Sequence, residues 1–575
     1  MRSTAARPRG VLAGLALTAA LAAMAHAAAA CAPSASLTAI ADVQGSGPRS
    51  PLVGRRVSVQ GVVTATFSGP DALGGFFLQD PLGDGDPATS DAVFIEERPG
   101  LAPPRPGDVL RVVGRVGEAR DITRIVAAGP PARCGTAPLP AARPLQLPLP
   151  PVPGWEALEG MLVRVPEPLT ITGVADLGRY GELTLARGRL FAPTQGVPDS
   201  GPATLGRIVL DDGSRLRDPR PPPYRLPGGR PPRVGDAIGG LLAVVVQYAP
   251  GAYALEPLGR PQPLIANPRP GTPPAVGGNI RVASFNVHNF FVTLHERGAR
   301  SRSEFLQQRD KLVAAIIGLD ADAVLLQEVE ADNMTAEDTL VSAVNARLGG
   351  PVYAAVPDPA GGVGGDRIKQ AILYKSATLT LISSASDPAP VFERAPVAAT
   401  FRLPSGGVLS VVDVHLKAKS GCPAAGDVDR GYGCWNLRRS AQAQATLAFA
   451  VALARRSGSP DVLVAGDFNS YAAEPPVALF RRDGYLDAAA GLPPAERYSY
   501  VYAGTSGTLD YAFLSPSLAG RLTGAGYWHI DADESSLLAA GGGLPPAGAN
   551  VAATPFRASD HDPLLLGLDI TAGVR

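Results

Sequence analysis

The sequence predicts a multidomain chain of 575 residues, all-β in its N-terminal half and a layered α/β domain from about residue 278 onward. Three observations predict this. Glycine and proline are abundant, 66 and 58 residues, as short strands joined by tight turns require. Upstream of about residue 275 the apolar residues alternate with period two, as over residues 55–63, 75–79, 92–95 and 110–116. Downstream, apolar strands interleave with stretches of helical period. A hydrophobic content of 45% is ample for real cores.

The first residues read as an export signal. Arg2, Arg7 and Arg9 precede an apolar run over residues 11–24 and small residues at 27–30, which predicts a cleaved leader over residues 1–30. The run is short for a membrane anchor. Cys31 also raises a lipoprotein site, although Ala28 is smaller than the aliphatic residue such sites use. No second long apolar segment exists. The mature protein is therefore expected to be secreted or periplasmic, without stable membrane insertion, and monomeric. Four cysteines suit two disulfides in an oxidising compartment. Cys422 and Cys434 are near neighbours, which leaves Cys31 for Cys134, although four cysteines allow three connectivities. With no C-x-x-C and no histidine at ligand spacing, zinc is disfavoured. Lys and Arg number 52, as do Asp and Glu, so no global basic field draws nucleic acid to the chain and any attraction is local.

Within the β half the strands and turns predict small barrels or sandwiches. A weak repeat, Leu52-Val53-Gly54 against Leu158-Glu159-Gly160 and Gly107-Asp108 against Gly235-Asp236, predicts two modules over residues 36–134 and 150–262. Proline-rich stretches at 138–153 and 261–274 are expected to be connectors. Phe67, Phe76, Phe77 and Phe94 are spaced either to fill a core or to stack bases. Arg215, Arg217, Arg220, Arg225, Arg230 and Arg233, with Tyr224, either track phosphates or form a solvated loop. Asp80, Asp84, Asp86 and Asp91 suggest a calcium loop whose spacing fits no standard pattern.

In the α/β half, Ile280 opens a strand ending at Phe285. Ser301-Arg302-Ser303-Glu304 is a capping box that starts a helix closed by Gly318. Residues 323–327, 371–374, 409–414, 462–465, 511–514 and 564–568 are further strands, and 437–456 is an alanine-rich helix.

Chemistry-bearing residues fall at the ends of these strands, where open sheets present groups to ligands. They are Asn286, Glu328, His415, Asp467 with Asn469, Asp510, and Asp560-His561. Taken singly, each has an ordinary reading as a turn, a solvated strand end or a core histidine. Together they suit phosphoester hydrolysis, which needs phosphate charge neutralised, water activated and a leaving oxygen protonated. Glu328, Asn286 and Asp560 are hard oxygen ligands for a divalent metal, Mg²⁺ first and Mn²⁺ or Ca²⁺ as alternatives. A histidine poised by an aspartate suits general-base work. Asp467 and Asn469, at strand-like spacing, are expected to project the same way.

The ordered set Asn286, Glu328, His415, Asp467-x-Asn469, Leu509-Asp510-Tyr511 and Ser559-Asp560-His561 resembles the endonuclease/exonuclease/phosphatase superfamily, to which pancreatic-type deoxyribonuclease belongs. Residues 417–422, 434–436 and 75–80 further resemble its secreted bacterial nucleases with N-terminal OB-like modules. The resemblance implies OB-like β modules followed by a four-layer α/β/β/α sandwich over 278–572. It also implies a metal on Glu328, Asn286 and Asp560, and His561 as base oriented by Asp510. Asp467 and Asn469 would steady the water and the transition state, and His415 would protonate the leaving oxygen. Asp366 is the acidic partner expected for His415, and Lys417 and Lys419 are expected to bind substrate. The implied activity is metal-dependent hydrolysis of DNA, with RNA as a further substrate. Competing readings are a phosphodiesterase of the same fold acting on lipid or small phosphoesters, and a non-catalytic protein binding DNA or glycan.

Overall fold

The computed structural model describes residue 31 and residues 37–69, 71–97, 102–119, 122–149, 154–197, 206–249, 252–542 and 554–570. The expected leader lies outside these residues. A short helix, α1 (Ile40–Gln44), precedes a six-stranded sheet of β1 (Arg56–Phe67), β2 (Gly75–Gln79), β3 (Ala92–Glu96), β4 (Asp108–Ala119), β5 (Ile122–Ala127) and β6 (Ala132–Thr136). Its order is β1-β2-β3-β5-β4-β6, and β1 also pairs with β4, so five strands close into a barrel. The period-two pattern is obeyed: Val59, Val63, Phe76, Ile95 and Val112 fill the interior, and Ile40 and Val43 plug it. Cys31 pairs with Cys134, and Cys422 with Cys434.

A nine-stranded sheet follows, ordered β15-β12-β9-β10-β11-β14-β13-β8-β7. Its strands are β7 (Arg143–Pro144), β8 (Leu162–Arg164), β9 (Leu169–Gly173), β10 (Leu183–Ala186), β11 (Arg207–Leu210), β12 (Ala237–Ile238), β13 (Leu242–Ala249), β14 (Ala252–Pro257) and β15 (Pro263–Leu264). Both expected connectors contribute to it, since β7 and β15 are its two edges. Proline is tolerated there because an edge strand has one side without ladder bonds. The two sheets are not independent. Phe77, Leu162, Val244 and Val246 share one core, with Phe67 and Phe94 packed against it, so these phenylalanines are core rather than base-stacking residues. Glu159 accepts from Thr123 N at 3.0 Å, and Leu162 N donates to Gln79 Oε1 at 2.9 Å.

The remaining elements are β16 (Ile280–Phe290), α2 (Arg302–Leu319), β17 (Ala323–Glu330), α3 (Thr335–Leu348), β18 (Tyr353–Ala355), β19 (Ile368–Lys375), β20 (Thr380–Ser386), β21 (Val397–Arg402), β22 (Val408–His415), α4 (Asn436–Ser457), β23 (Val462–Asp467), α5 (Pro475–Arg482), β24 (Leu486–Asp487), β25 (Tyr500–Tyr502), β26 (Thr505–Gly507), β27 (Asp510–Leu514), α6 (Pro516–Ala519), β28 (Leu522–Tyr527) and β29 (Leu564–Leu568). Two six-stranded sheets result, β18-β19-β17-β16-β29-β28 and β20-β21-β22-β23-β27-β24. Val282, Leu325, Val411, Ala465, Ala512 and Leu566 form the core between them. Ala283, Leu312, Ile316 and Leu340 bury α2 and α3 on one outer face, while Val412, Leu447, Phe468 and Phe480 bury α4 and α5 on the other. The layers run α/β/β/α, as expected.

Ser301 caps α2, its Oγ accepting from Glu304 N at 3.2 Å, while the Glu304 side chain accepts from Arg300 N. The helix does not stop at Gly318. It ends at Asp320, in the left-handed region at φ 47°. Gly318 is small for a packing reason: an added Cβ would lie 2.5 Å from Trp528 Cη2. Gly318→Ala is expected to destabilise by about 1–3 kcal/mol through overpacking, read from the urea midpoint.

Candidate active site

Strand ends from both sheets meet at one edge of the sandwich. On the first sheet, β17 bulges. Its pairing with β19 slips between Leu326 and Val329, and Glu328 sits in the left-handed region at φ 67°. The bulge re-aims its carboxylate toward β16, where Oε2 accepts from Asn289 N at 2.9 Å and Oε1 from Asn286 Nδ2 at 3.1 Å. The same Nδ2 reaches Asp467 Oδ2 at 3.1 Å, so one amide ties the first sheet to the second. On the second sheet, β23 approaches β22 so closely at Gly466 that a Cβ there would sit 2.0 Å from Val414 O. That glycine, at φ 142°, delivers Asp467 to the edge.

Asp467 and Asn469 do not share strand spacing. The strand ends at Asp467, Asn469 turns to φ 47°, and its backbone N–H donates to Asp467 Oδ1 at 2.7 Å. Its side-chain amide donates to Leu416 O at 3.1 Å. The pair meets through a turn, a conformation that Asn tolerates.

His561 Nδ1 lies 2.8 Å from Asp510 Oδ2, and its Nε2 lies 4.0 Å from Asp467 Oδ2. Both members of this pair are buried. Burial pulls the imidazole down, but Asp510, its hydrogen bond, Asp467 and Asp560 outweigh it and hold His561 well above the ordinary histidine range. Burial pushes Asp467 up to about 7, against the pull of His561.

His415 is buried at the end of β22, with Nε2 3.5 Å from Asp467 Oδ2. Its Nδ1 has no hydrogen-bond partner among the described residues. Burial and then Arg394 hold it well below the ordinary range, so it is neutral. Asp366 is not its partner. That carboxylate pairs with Arg297 at 3.0 Å and Arg394 at 3.4 Å, and Arg394 in turn donates to the carbonyls of His415 and Leu416. The two lysines are also engaged. Lys419 meets Glu474 at 2.6 Å, while Lys417 lies over the Trp435 ring at 5.3 Å and 3.9 Å from Glu393.

Asp560 pairs with His288 Nδ1 at 2.9 Å. His288 and Asn289 are both left-handed, at φ 52° and 50°, which places both beside Asn286 and Glu328. His288 escaped sequence reasoning, although a histidine two residues after Asn286 at a strand end was a usable signal. Tyr500, whose ring packs on His561 at 4.6 Å, and Ser499, whose Oγ donates to Asp510 Oδ2 at 2.6 Å, carried no such signal. A cavity of about 360 Å³ opens beside Asp560, lined by His288, Arg297, Arg300, Arg557 and Ser559.

Among the described residues, the ligand-type atoms within 4.8 Å of one another belong to Asp467, Asp510 and His561, a set that could hold a metal ion. It differs from the expected Glu328, Asn286 and Asp560, and two of its members are bonded to each other. The four aspartates proposed for calcium form no such group; Asp80, Asp84, Asp86 and Asp91 accept from backbone N–H groups of their own loop. Of the arginine-rich segment, Arg215, Arg217, Arg220, Arg225 and Arg230 are exposed, whereas Tyr224 and Arg233 are buried.

Residues 283–561 match the Endonuclease/Exonuclease/phosphatase family, in agreement with the resemblance read from the strand-end motifs. No curated protein matches the chain. Similar solved structures include the human nocturnin catalytic domain with bound sulfate (19% identity, 50% of this chain and 93% of that one, TM-score 0.33). Others are D. rerio TDP2 complexed with single strand DNA product (17%, 50% and 97%, 0.33) and a Bacteroides thetaiotaomicron mannosyl-6-phosphatase (15%, 51% and 100%, 0.35).

Proposed function

We propose that this chain is a secreted, divalent-metal-dependent nuclease that hydrolyses phosphodiester bonds of nucleic acid, DNA foremost. One observation carries the reading: the buried His561–Asp510 pair faces Asp467, which one amide links to Glu328. The matched family of metal-dependent phosphoesterases and nucleases supports the reaction class.

The donor set fits a hard cation. Glu328, Asp467, Asp510 and Asp560 crowd one edge, and Asn289 Oδ1 is buried without a partner among the described residues. Glu328, Asn286 and Asp560 would hold Mg²⁺, with Mn²⁺ or Ca²⁺ also suited, and the bound ion would neutralise phosphate charge. His561, with Nδ1 committed to Asp510, is held above the ordinary histidine range by the surrounding carboxylates; with that negative charge offset by a divalent cation on Glu328 and Asp560, Nε2 would be free to accept a proton from water. Asp467 and Asn469 orient that water and the phosphate. His415 offers Nε2 to the leaving oxygen as a neutral donor, since no carboxylate reaches its Nδ1 among the described residues.

Two disulfides support an oxidising compartment, and no helix among the described residues is long and apolar enough to cross a membrane. The closed five-strand barrel supports an OB-like module that holds single strands, with the exposed arginines from 215 to 230 as a phosphate track.

Incubation with plasmid DNA, linear DNA, RNA and phosphocholine vesicles, with Mg²⁺ or chelator, tests the reading. Mg²⁺-dependent cleavage of DNA is expected. DNA left intact under every metal overturns it, and phosphocholine release instead identifies a lipid esterase. Glu328→Gln is expected to weaken Mg²⁺ binding at least tenfold by calorimetric titration, as loss of a charged ligand predicts; unchanged affinity removes Glu328 from the ligand set.

A further inference from the structure

The second β sheet reaches into the catalytic domain through a strap formed by residues 189–195. Ala192 N donates to Ser506 O at 2.9 Å, and Ser506 N to Leu190 O at 2.8 Å, so the strap pairs with the β25–β26 hairpin. Arg189 donates to Ser506 Oγ at 2.9 Å and to Asp533 at 2.8 and 3.0 Å. Gln195, 1% exposed, holds both ends of the hairpin. Its Nε2 donates to Arg497 O at 3.1 Å and Thr508 Oγ1 at 3.0 Å, and its Oε1 accepts from Thr508 N at 2.9 Å.

Those two ends lead straight to the base. Ser499 follows Arg497 by two residues. Its Oγ donates to Asp510 Oδ2 at 2.6 Å and accepts from Leu509 N at 3.1 Å. Asp510 follows Thr508 by two residues and holds His561, against which Tyr500 of the same hairpin packs. A buried amide with both its donor and its acceptor engaged across a domain boundary is a specific device, because a mismatched group there would leave backbone polar atoms unpaired.

We infer that Gln195 is a positioning residue for the His561–Asp510 pair, so that the second β sheet completes the active site of the C-terminal domain. It acts through Thr508, Arg497 and Ser499 and touches no reacting group. The inference rests on the nuclease reading for its kinetic consequence but not for its geometry.

The test uses the full chain with Gln195→Ala, and with Gln195→Asn, which keeps the amide one methylene short, should the alanine variant fail to fold. A buried imidazole–carboxylate pair gives a far-downfield Nδ1–H proton resonance in NMR. That signal, assigned by its absence in Asp510→Asn, is expected to shift or broaden in both Gln195 variants. On DNA, kcat is expected to fall about 10- to 100-fold with KM unchanged, as misplacement of a catalytic group predicts. In the Asp510→Asn background, Gln195→Ala is expected to add no further loss, because both changes act on one unit. An unmoved resonance, or a loss that multiplies fully with that of Asp510→Asn, overturns the inference. Should no DNA be cleaved at all, the nuclease reading fails while the resonance still decides the role of Gln195.

Discussion

His561→Ala is expected to lower kcat for phosphodiester cleavage by about 10²- to 10⁴-fold, the usual contribution of a positioned acid–base group, with little change in KM. The size follows from the geometry. The imidazole is buried, its Nδ1 is fixed 2.8 Å from Asp510, and the described structure offers Nε2 no closer protein partner than Asp467 at 4.0 Å. Neither neighbouring histidine matches it: His415 has no carboxylate on Nδ1 among the described residues to stabilise the imidazolium that proton uptake would create, and His288 is bound to Asp560. Asp510→Asn produces a comparable fall, because an amide can present its NH₂ to Nδ1 and favour the wrong tautomer. Steady-state rates on plasmid DNA, with circular dichroism to confirm folding, measure both. A His561→Ala enzyme within threefold of the parent would remove the base assignment.

Asp533→Ala destabilises the protein by about 3–5 kcal/mol, the cost of breaking a buried ion pair on one side. Asp533 is fully buried and accepts from Arg189, from Asn267 Nδ2 at 2.7 Å and from Tyr498 OH at 2.8 Å, with Arg233 at 3.5 Å. Its removal leaves Arg189 without its carboxylate and Arg233 with Glu534 alone, at 3.1 Å. The same network sets an acid limit. Burial raises the Asp533 pKa, but Arg189 and Arg233 overcome this and hold it at about 2, below the 3.8 of a free aspartate. A depressed carboxyl stabilises fully above the unfolded value and loses that contribution as pH falls from about 4 toward 2, about 2 kcal/mol in all. Urea unfolding at pH 7 and acid unfolding followed by tryptophan fluorescence check both parts. A loss under 1 kcal/mol, or an acid midpoint unchanged in the variant, would show that the arginines find other partners.

In the catalytic half the elements that are single apolar runs with one period were legible, while α3 (Thr335–Leu348), β20 (Thr380–Ser386), β21 (Val397–Arg402) and β28 (Leu522–Tyr527) were not. Residues 564–568 and the long helix at 436–457 match expectation within a residue at each end. The pairing of His561 with Asp510 was legible only through the ordered motifs. Four features of the site were not. The bulge at Glu328 comes from pairing with two neighbours whose registers disagree, which no local pattern encodes. Asn469 looks like a strand residue because alternation is silent about a sign change in φ. Asp366 looked available to His415, yet Arg297 and Arg394, more than 25 residues away on either side, claim it. Gln195 carries no motif at all, since its meaning depends on atoms 302 and 313 residues downstream.

That separation bears on when hydrolysis can begin. Synthesis delivers the strap first, the hairpin it grips some 300 residues later, and His561 close behind. Every contact among them closes a long loop, which makes their assembly a late and slow folding event. On the proposed reading, a cell exporting this chain unfolded would keep its own nucleic acid safe without a separate inhibitor, because the site is assembled only after residues 189–561 have all emerged.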